Sequence, residues 1–422
     1  MKKIISLLCV MMVARFAAAQ SITDPANTDL SPAAQSIAAA SKTISDKPTE
    51  CTGYNLLASA LVRRAQETTD VSFYAQAESL IEKSLEIAPN NFDAAKIRVS
   101  ILLGEHEYPA ALEAAKMLNG RVPDDVIVYG WLTDADVELG NYSDAETAAQ
   151  WMLNLRPGNL PALTRAAHLR ELFGDTEGAY ELMELAYQST APTEILERAS
   201  ILTQMGHLRL ASGSADAAEK LIQQALRDFP KYSPALENLG QVRVTQKRYA
   251  DAVILLQQSQ GGTHAKHLYD LAETLQLAGR DTEAKKAFAD FETKSLAESV
   301  HKYNSNRELI FYYADHARQP AKALEVAKQE YAWRHDVYTL DAYAWALHVN
   351  GQDVEARKQI EAALAVGIRD SKIFAHAGEI ALKLHDRAAA KNYLQEAVAL
   401  HALGSEHAQL VLARLSAPSA PR

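Results

Sequence analysis

The chain has 422 residues, of which 48% are hydrophobic, and this fraction excludes wholesale disorder. Lysine and arginine total 43 against 53 acidic residues, which gives a formal net charge of -10. Affinity for nucleic acid comes mainly from neutralising phosphates, so an acidic chain without a basic tract is a poor candidate for that ligand. We therefore expect a folded chain that does not bind nucleic acid.

Residues 1–19 have the pattern of a secretory signal peptide. A basic start at Lys2 and Lys3 precedes an apolar run over residues 4–13, and Ala17 and Ala19 follow at cleavage-site spacing. The run is too short to span a membrane, and no later stretch reaches the roughly 18 apolar residues that a spanning helix needs. We expect a cleaved chain that is exported to the periplasm or the cell exterior and is not inserted in a membrane.

The segment over residues 20–51 is rich in Ser, Thr, Ala, Asp and Pro and contains few large apolar residues. This composition predicts a flexible N-terminal segment with one weak helix around residues 32–44. Cys51, at its end, would be the only cysteine left after cleavage, so no intrachain disulfide can form.

An alanine recurs at nearly constant spacing along most of the chain. The intervals between its positions are 34, 34, 34, 39, 34, 32, 39, 33 and 34 residues. The positions are Ala77, Ala111, Ala145, Ala179, Ala218, Ala252, Ala284, Ala323, Ala356 and Ala390. A period in this range is the signature of a repeat protein, in which each unit packs against its neighbours. The spacing predicts a repeat array over residues 52–404.

Each unit contains two stretches with apolar residues at i, i+3, i+4 and i+7, which is the period of a helix. Glycine near the end of the first stretch predicts a left-handed helix cap, and proline after the second predicts its end. The glycines are Gly140, Gly174, Gly213, Gly279 and Gly351, and the prolines are Pro89, Pro123, Pro157 and Pro230. The recurring alanine is small, which lets the two helices of a unit approach closely.

This pattern resembles the tetratricopeptide repeat (TPR) family, whose unit has about 34 residues with small and aromatic residues at fixed offsets. The unit over residues 233–264 carries Leu239, Gly240, Tyr249 and Ala252, and the unit over residues 199–232 carries Gly206, Gly213, Ala218 and Pro230. The resemblance implies an all-α solenoid of about ten helix-turn-helix repeats in a right-handed superhelix. About five residues are inserted near 194–198 and again near 299–303. Residues 405–422 are predicted to form a capping helix and a tail.

No catalytic or phosphate-binding motif occurs in the sequence, so we expect a chain that is not an enzyme and uses no metal or cofactor. In the TPR family, positions 2, 5, 9 and 12 of each first helix line the concave wall. Carried over to the N-terminal half, these positions hold Lys96, Ser100, Asp134, Thr164, His168, Thr203 and His207. In the second half they hold Glu237, Gln241, Tyr269, Glu273, Glu308, Tyr312, Asp315, Asp341, Trp345, His348 and Glu379.

The second-half set is aromatic and acidic, which favours a cationic or extended polar peptide through ion pairs and aromatic contacts. We take Tyr269, Glu273, Glu308, Tyr312, Asp315, Asp341, Trp345 and His348 as the candidate partner-binding residues. In the alternative interpretation, Tyr312 and Trp345 simply pack between helices. The expected function is a scaffold that binds a protein or peptide in an envelope or secretion assembly. The second hypothesis is a polysaccharide-binding module of an export system.

Overall fold

The computed structural model describes residues 31–259, 265–299, 304, 306–402 and 405–416. The predicted signal peptide over residues 1–19 lies outside these residues. Within them the secondary structure is entirely helical, and the helices form ten antiparallel pairs with one further helix at each end. No helix in this part of the chain is long and apolar enough to cross a membrane. The predicted all-α solenoid of about ten units is thereby confirmed.

The first helices of the ten pairs are α2 (Cys51–Thr68), α4 (Phe92–Gly104), α6 (Val126–Glu138), α8 (Leu160–Leu172), α10 (Ile195–Ala211), α12 (Ser233–Thr245), α14 (Ala265–Leu277), α16 (Asn306–Phe311, continued by a π-helical turn, Tyr312–His316), α18 (Val337–Val349) and α20 (Ser371–Lys383). The second helices are α3 (Ser72–Ile87), α5 (Tyr108–Arg121), α7 (Tyr142–Leu155), α9 (Thr176–Ser189), α11 (Ala215–Asp228), α13 (Tyr249–Gln258), α15 (Asp281–Glu298), α17 (Pro320–Tyr331), α19 (Asp353–Ala365) and α21 (Arg387–Ala399). Helix α1 (Pro32–Asp46) precedes the array and α22 (Ser405–Ser416) follows it.

The recurring alanine sits in the second helix of every unit, and all ten copies are at most 2% exposed. In nine of the ten units it is the fourth residue of that helix, which places it where the two helices of the pair come together. A larger side chain would push the helices apart at a cost of about 1–3 kcal/mol.

The turn between the two helices of a unit depends on one residue in the left-handed conformation. The five predicted glycines have φ between 71° and 84°. Where glycine is missing, His106, Lys247, Arg318 and His385 adopt the same conformation, with φ between 53° and 61°. The turn geometry is therefore retained even where the sequence lacks its usual residue.

The N-terminal segment differs from the sequence-based expectation. Residues 32–46 form α1, a packed helix, although a flexible segment with only a weak helix was predicted. Ala33 and Ala40 are buried, and the amide of Ala33 donates to Oε1 of Glu67 on α2 at 2.9 Å. The small residues that suggested flexibility instead let α1 lie close to α2 and cover the first apolar face of the array.

The first insertion lengthens a helix. Helix α10 has 17 residues, whereas its counterparts α8 and α12 have 13, so the insertion near 194–198 adds about one turn. The second insertion, near 299–303, lies mostly outside the described residues. At the other end, α22 buries Ala408 against Phe374 and Leu394, as expected for a cap.

The superhelix is coiled tightly enough for one turn to touch the next. Gly140, between α6 and α7, lies against the backbone of His335, which is almost 200 positions further along the chain. Beside it, Nε of Arg334 donates to Oε2 of Glu138 at 2.7 Å, and Arg334 is 6% exposed. The next two turns repeat this approach, Gly174 against Gly367 and Gly213 against Leu400. The turns within the third to fifth units thus contact the segments that follow the second helices of the last three units.

Candidate binding cavity

The first helices of the last five units and the terminal helix α22 surround a cavity of about 880 Å³. Helix α12 closes the ring, because the coil brings the end of the chain back to it. Lys247, just after α12, pairs with Glu406 of α22 at 2.7 Å. The lining contains Gln241, Asp270, Glu273, Thr274, Gln276, Leu277, Asp315, His316, Trp345, Asp370, Lys372, His376, Glu379 and His407, among others.

Three of the eight candidate residues lie on the cavity wall: Glu273, Asp315 and Trp345. Asp315 is exposed and accepts a hydrogen bond from Nε1 of Trp345 at 2.8 Å, which joins the π-helical turn to α18. The indole ring is 9% exposed and stacks on His376 at 4.2 Å between ring centroids. The edge of Trp345 therefore holds Asp315 in position, while its face packs against the protein.

The other five candidates lie behind or beside the wall. Tyr269 is 4% exposed and donates its hydroxyl to Glu273, and Asp341 is 3% exposed beneath His376. His348 is hydrogen-bonded to Asp353, and Glu308 is half-buried outside the lining. These residues support the wall from within or stand apart from it.

Tyr312 packs against Phe288 and Phe291 and directs its hydroxyl to Glu292 on α15, away from the cavity. The packing alternative thus describes Tyr312 well. For Trp345 both descriptions hold, since it packs and also contacts the cavity. The π-helical turn is wound more widely than an α-helix, which changes the directions in which the residues after Phe311 point. It explains why Tyr312 faces away from the cavity although Asp315 lies on the wall.

Paired carboxylates link consecutive first helices along the inner wall. A carboxylate on one helix meets a ring or guanidinium group on the next one: Asp134 with Arg165, Glu171 with His207, Glu237 with His267, Glu273 with His316, Asp315 with Trp345, Asp341 with His376, and Glu379 with His407. Sequence reasoning placed many of the acids on this wall. It missed His316, Lys372, His376 and His407. Of these, His316 and His376 would have been found by asking what Glu273 and Asp341 pair with in the next unit.

Two of the carboxylates at the cavity, Glu379 and Glu273, have lowered pKa values. Burial raises the pKa of Glu379, but the hydrogen bond from His407 outweighs it and the net pKa is lowered. Glu273 follows the same pattern, with His316 and Lys372 outweighing the effect of burial on its pKa. The hydrogen bond to Glu379 in turn raises the pKa of His407.

The N-terminal half has smaller grooves on the same wall. Asp134, Thr164 and His168 line one of about 410 Å³, and Lys96 lines another of about 450 Å³. Lys96 is paired with Asp125, and Thr203 is buried with its hydroxyl on Ala199. His168 and His207 both approach Glu171, at 3.6 and 2.9 Å. No group of three or more side chains suited to a metal ion occurs among the residues that the structure describes.

Comparison with protein families adds to this geometry. Residues 203–266, which contain α11, α12 and α13, match the family model described as a tetratricopeptide repeat. This stretch of the chain thus carries tetratricopeptide repeats. TPR scaffolds generally mediate protein–protein interactions through the extended concave surface of the array. No curated protein matches the sequence.

Several solved structures are similar to this chain. The human IFIT1 dimer with PPP-AAAA has 13% sequence identity and a TM-score of 0.47, with 86% of this chain and 94% of that chain covered. Cut9–Hcn1 of the APC/C has 14% identity and a TM-score of 0.43, with 85% of this chain but 55% of that chain covered. A thermophilic TPR protein from Thermus thermophilus has 22% identity and a TM-score of 0.36, with 47% and 99% covered.

Proposed function

We propose that this protein is a non-enzymatic scaffold that binds a short segment of a protein partner in the cavity between α12 and α22. The supporting observation is the cavity itself, where the first helices of five units and the terminal helix α22 converge on one space. Its volume of about 880 Å³ is within the range of about 300–1,000 Å³ of small-molecule sites, so it suits a few residues of a peptide. A loop or a chain end of the partner would therefore enter the cavity, and the remainder would lie outside it.

Two matched tryptophan variants test this proposal. Leu277 lines the cavity and is 52% exposed, whereas Leu296 on α15 is 50% exposed and outside the lining. Leu277→Trp should fill the space without disturbing a packed core, and Leu296→Trp adds the same ring elsewhere. In affinity capture from the native cell fraction, Leu277→Trp should lose the proteins that wild type and Leu296→Trp retain. Equal capture by both variants would contradict the proposal.

Binding of a polysaccharide is the second hypothesis, and the geometry favours it less. Sugars bind proteins largely by stacking on open aromatic faces, but His376 stacks on Trp345 at 4.2 Å and His348 lies 5.0 Å away. The protein's own rings thus cover the surface that a sugar would need. Retention of purified envelope polysaccharide by wild type, and its loss in Leu277→Trp, would support this hypothesis instead.

We further propose that the chain is exported to the periplasm or cell exterior and serves an envelope or secretion assembly. The basic start, short apolar run and small residues within residues 1–19 support this location. Cell fractionation with N-terminal sequencing of the purified protein is the test. A mature chain that begins near residue 20 in the exported fraction is expected, and an intact N-terminus in the cytoplasm would contradict it.

A further inference from the structure

The cavity wall carries more carboxylates than ammonium groups. Its charged lining consists of the carboxylates of Asp270, Glu273, Asp315, Asp370 and Glu379 against the single ammonium group of Lys372. The Nζ atom of Lys372 lies 3.5 Å from the centroid of the Phe311 ring. The imbalance means that a ligand which brings donors and positive charge meets matching groups on the wall.

Three of these carboxylates share one arrangement. Glu273, Asp315 and Glu379 each use one oxygen to accept from a neighbouring ring or hydroxyl group. The second oxygen of each has no hydrogen-bond partner among the described residues. Each carboxylate is therefore fixed in direction by its bonded oxygen, and its other oxygen is available to a ligand. Asp270 and Asp370 differ, because Asp270 pairs with Lys266 and Asp370 caps the start of α20.

His376 adds an acceptor of a different kind. Its ring is 6% exposed, lines the cavity, and is bonded through Nδ1 to the buried carboxylate of Asp341 at 2.7 Å. A neutral imidazole that donates Nδ1–H to a carboxylate carries its lone pair on Nε2. Within the described part of the chain, Nε2 has no hydrogen-bond partner. In that tautomer, the nine-tenths-buried ring presents an unused acceptor at the same cavity.

We propose that the cavity recognises a positively charged side chain, an arginine or a lysine, on the segment that it binds. The inference rests on the proposed function and specifies its ligand. A guanidinium group carries five N–H donors and an ammonium group three, and neither has an acceptor. Such a group satisfies the open oxygens of Glu273, Asp315 and Glu379 and the lone pair of His376 together, and it offsets the charge of the wall.

Two peptides that differ only in charge test the inference. The first is a glycine–serine peptide with two arginines, and the second has citrulline in their place, which keeps the shape of the side chain but not its charge. With the full chain, the arginine peptide should bind at least about tenfold more tightly, equivalent to about 1.4 kcal/mol. Its affinity should fall when salt is raised from about 50 to about 300 mM, because ion pairs are screened.

Asp315→Asn and Glu379→Gln keep an acceptor oxygen and remove the charge, so each should reduce the preference for arginine by about threefold or more. Glu361→Gln is the control, because Glu361 pairs with Arg357 on α19 outside the cavity. Circular dichroism and melting establish that the variants fold. Equal affinity for the two peptides, or no binding of either, would overturn the inference.

The outcome also separates the inference from the proposed function. If both peptides bind equally and Leu277→Trp abolishes that binding, the cavity is a peptide site without charge selection. In that case the inference fails and the proposed function stands. If Leu277→Trp has no effect on any ligand, the proposed function itself fails.

Discussion

Asp315 and Trp345 are the pair on which the geometry of the cavity wall depends most directly. The indole N–H holds one oxygen of Asp315, and the stacked His376 holds the indole. Phenylalanine at 345 would keep an aromatic ring beside His376 and remove the donor. We expect Trp345→Phe to weaken binding of the arginine peptide by about 0.5–1.5 kcal/mol, as for loss of one hydrogen bond, with little loss of helicity.

Tyr312→Phe is the matched control for that change. It removes the hydroxyl bond to Glu292 and leaves the ring on Phe288 and Phe291. Titration calorimetry should give wild-type affinity for Tyr312→Phe. A variant at 312 that loses binding while Trp345→Phe retains it would show that the roles of the two residues are reversed.

Glu171 makes stability depend on pH through two histidines. Burial opposes its ionisation, but His168 and His207 lower its pKa to about 2, and the pKa of each histidine is raised in return. A raised histidine pKa stabilises the fold below the unfolded-state pKa, and this contribution disappears as pH rises through the folded-state value. The lowered pKa of Glu171 stabilises above its unfolded-state value, and that contribution disappears in acid.

We therefore expect the melting temperature to fall between about pH 6 and pH 8, and to fall less in Glu171→Gln. The histidines are 47% and 40% exposed, so the effect should be modest, about 0.5 kcal/mol per pair. Glu355→Gln is the control, since Glu355 pairs with the exposed Lys358 and no histidine. Identical pH profiles for wild type and Glu171→Gln would contradict this role.

At the scale of elements, the turns between paired helices have two functions that a substitution can separate. Gly174 and Gly279 both have positive φ, 84° and 71°. A Cβ on Gly174 would lie 2.5 Å from the carbonyl oxygen of Gly367, whereas a Cβ on Gly279 would meet nothing within 4 Å. The first glycine serves the turn and the contact between superhelical layers, and the second serves the turn alone.

Gly279→Ala should cost about 1–2 kcal/mol, the price of a left-handed alanine. Gly174→Ala should cost that amount and roughly 1–3 kcal/mol more, because backbone must move to remove the clash. Thermal unfolding of the two variants measures the difference. Equal destabilisation would mean that the layers are not in contact at Gly174.

The repeat elements could be predicted from the sequence because each depends on a local rule. Ala145 marks a close helix crossing and Gly140 a left-handed cap, and both rules act within a few residues. The π-helical turn could not be predicted, since no residue pattern in Tyr312–His316 specifies it. It affected the predicted site directly, because Asp315 lies at the cavity and Tyr312 does not.

At the scale of the whole molecule, the contact between superhelical turns was invisible in the sequence. The pairing of Arg334 with Glu138 spans 196 residues, and no periodicity relates the two positions. The position of His407 at the cavity was also invisible in the sequence, because this residue lies in the terminal helix and has no place in the repeat register. Contact between distant superhelical turns depends on the curvature of the array, to which many small helix–helix contacts contribute. It can therefore be seen only in the folded structure.

Arg334 is central to that closure, with the carboxylates of Glu138, Glu330 and Asp336 around it. Arg334→Leu leaves these acids without their cation and should destabilise the chain by about 3–5 kcal/mol. Hydrogen exchange should accelerate in the amides of the α6–α7 turn, which lose their neighbour. Arg357→Leu, which breaks a half-exposed pair, should change stability by less than about 1 kcal/mol. Equal losses of stability in Arg334→Leu and Arg357→Leu would contradict the contact between superhelical turns.

Site-specific photocrosslinking in the native cell tests whether the partner enters the cavity between α12 and α22. A photoreactive residue at Gln276, on the cavity wall, is compared with one at Gln258, an exposed glutamine on α13 outside the lining. We expect a covalent adduct with a partner protein from position 276 and none from 258. An adduct from 258 alone would place the partner on the outer surface and contradict the claim.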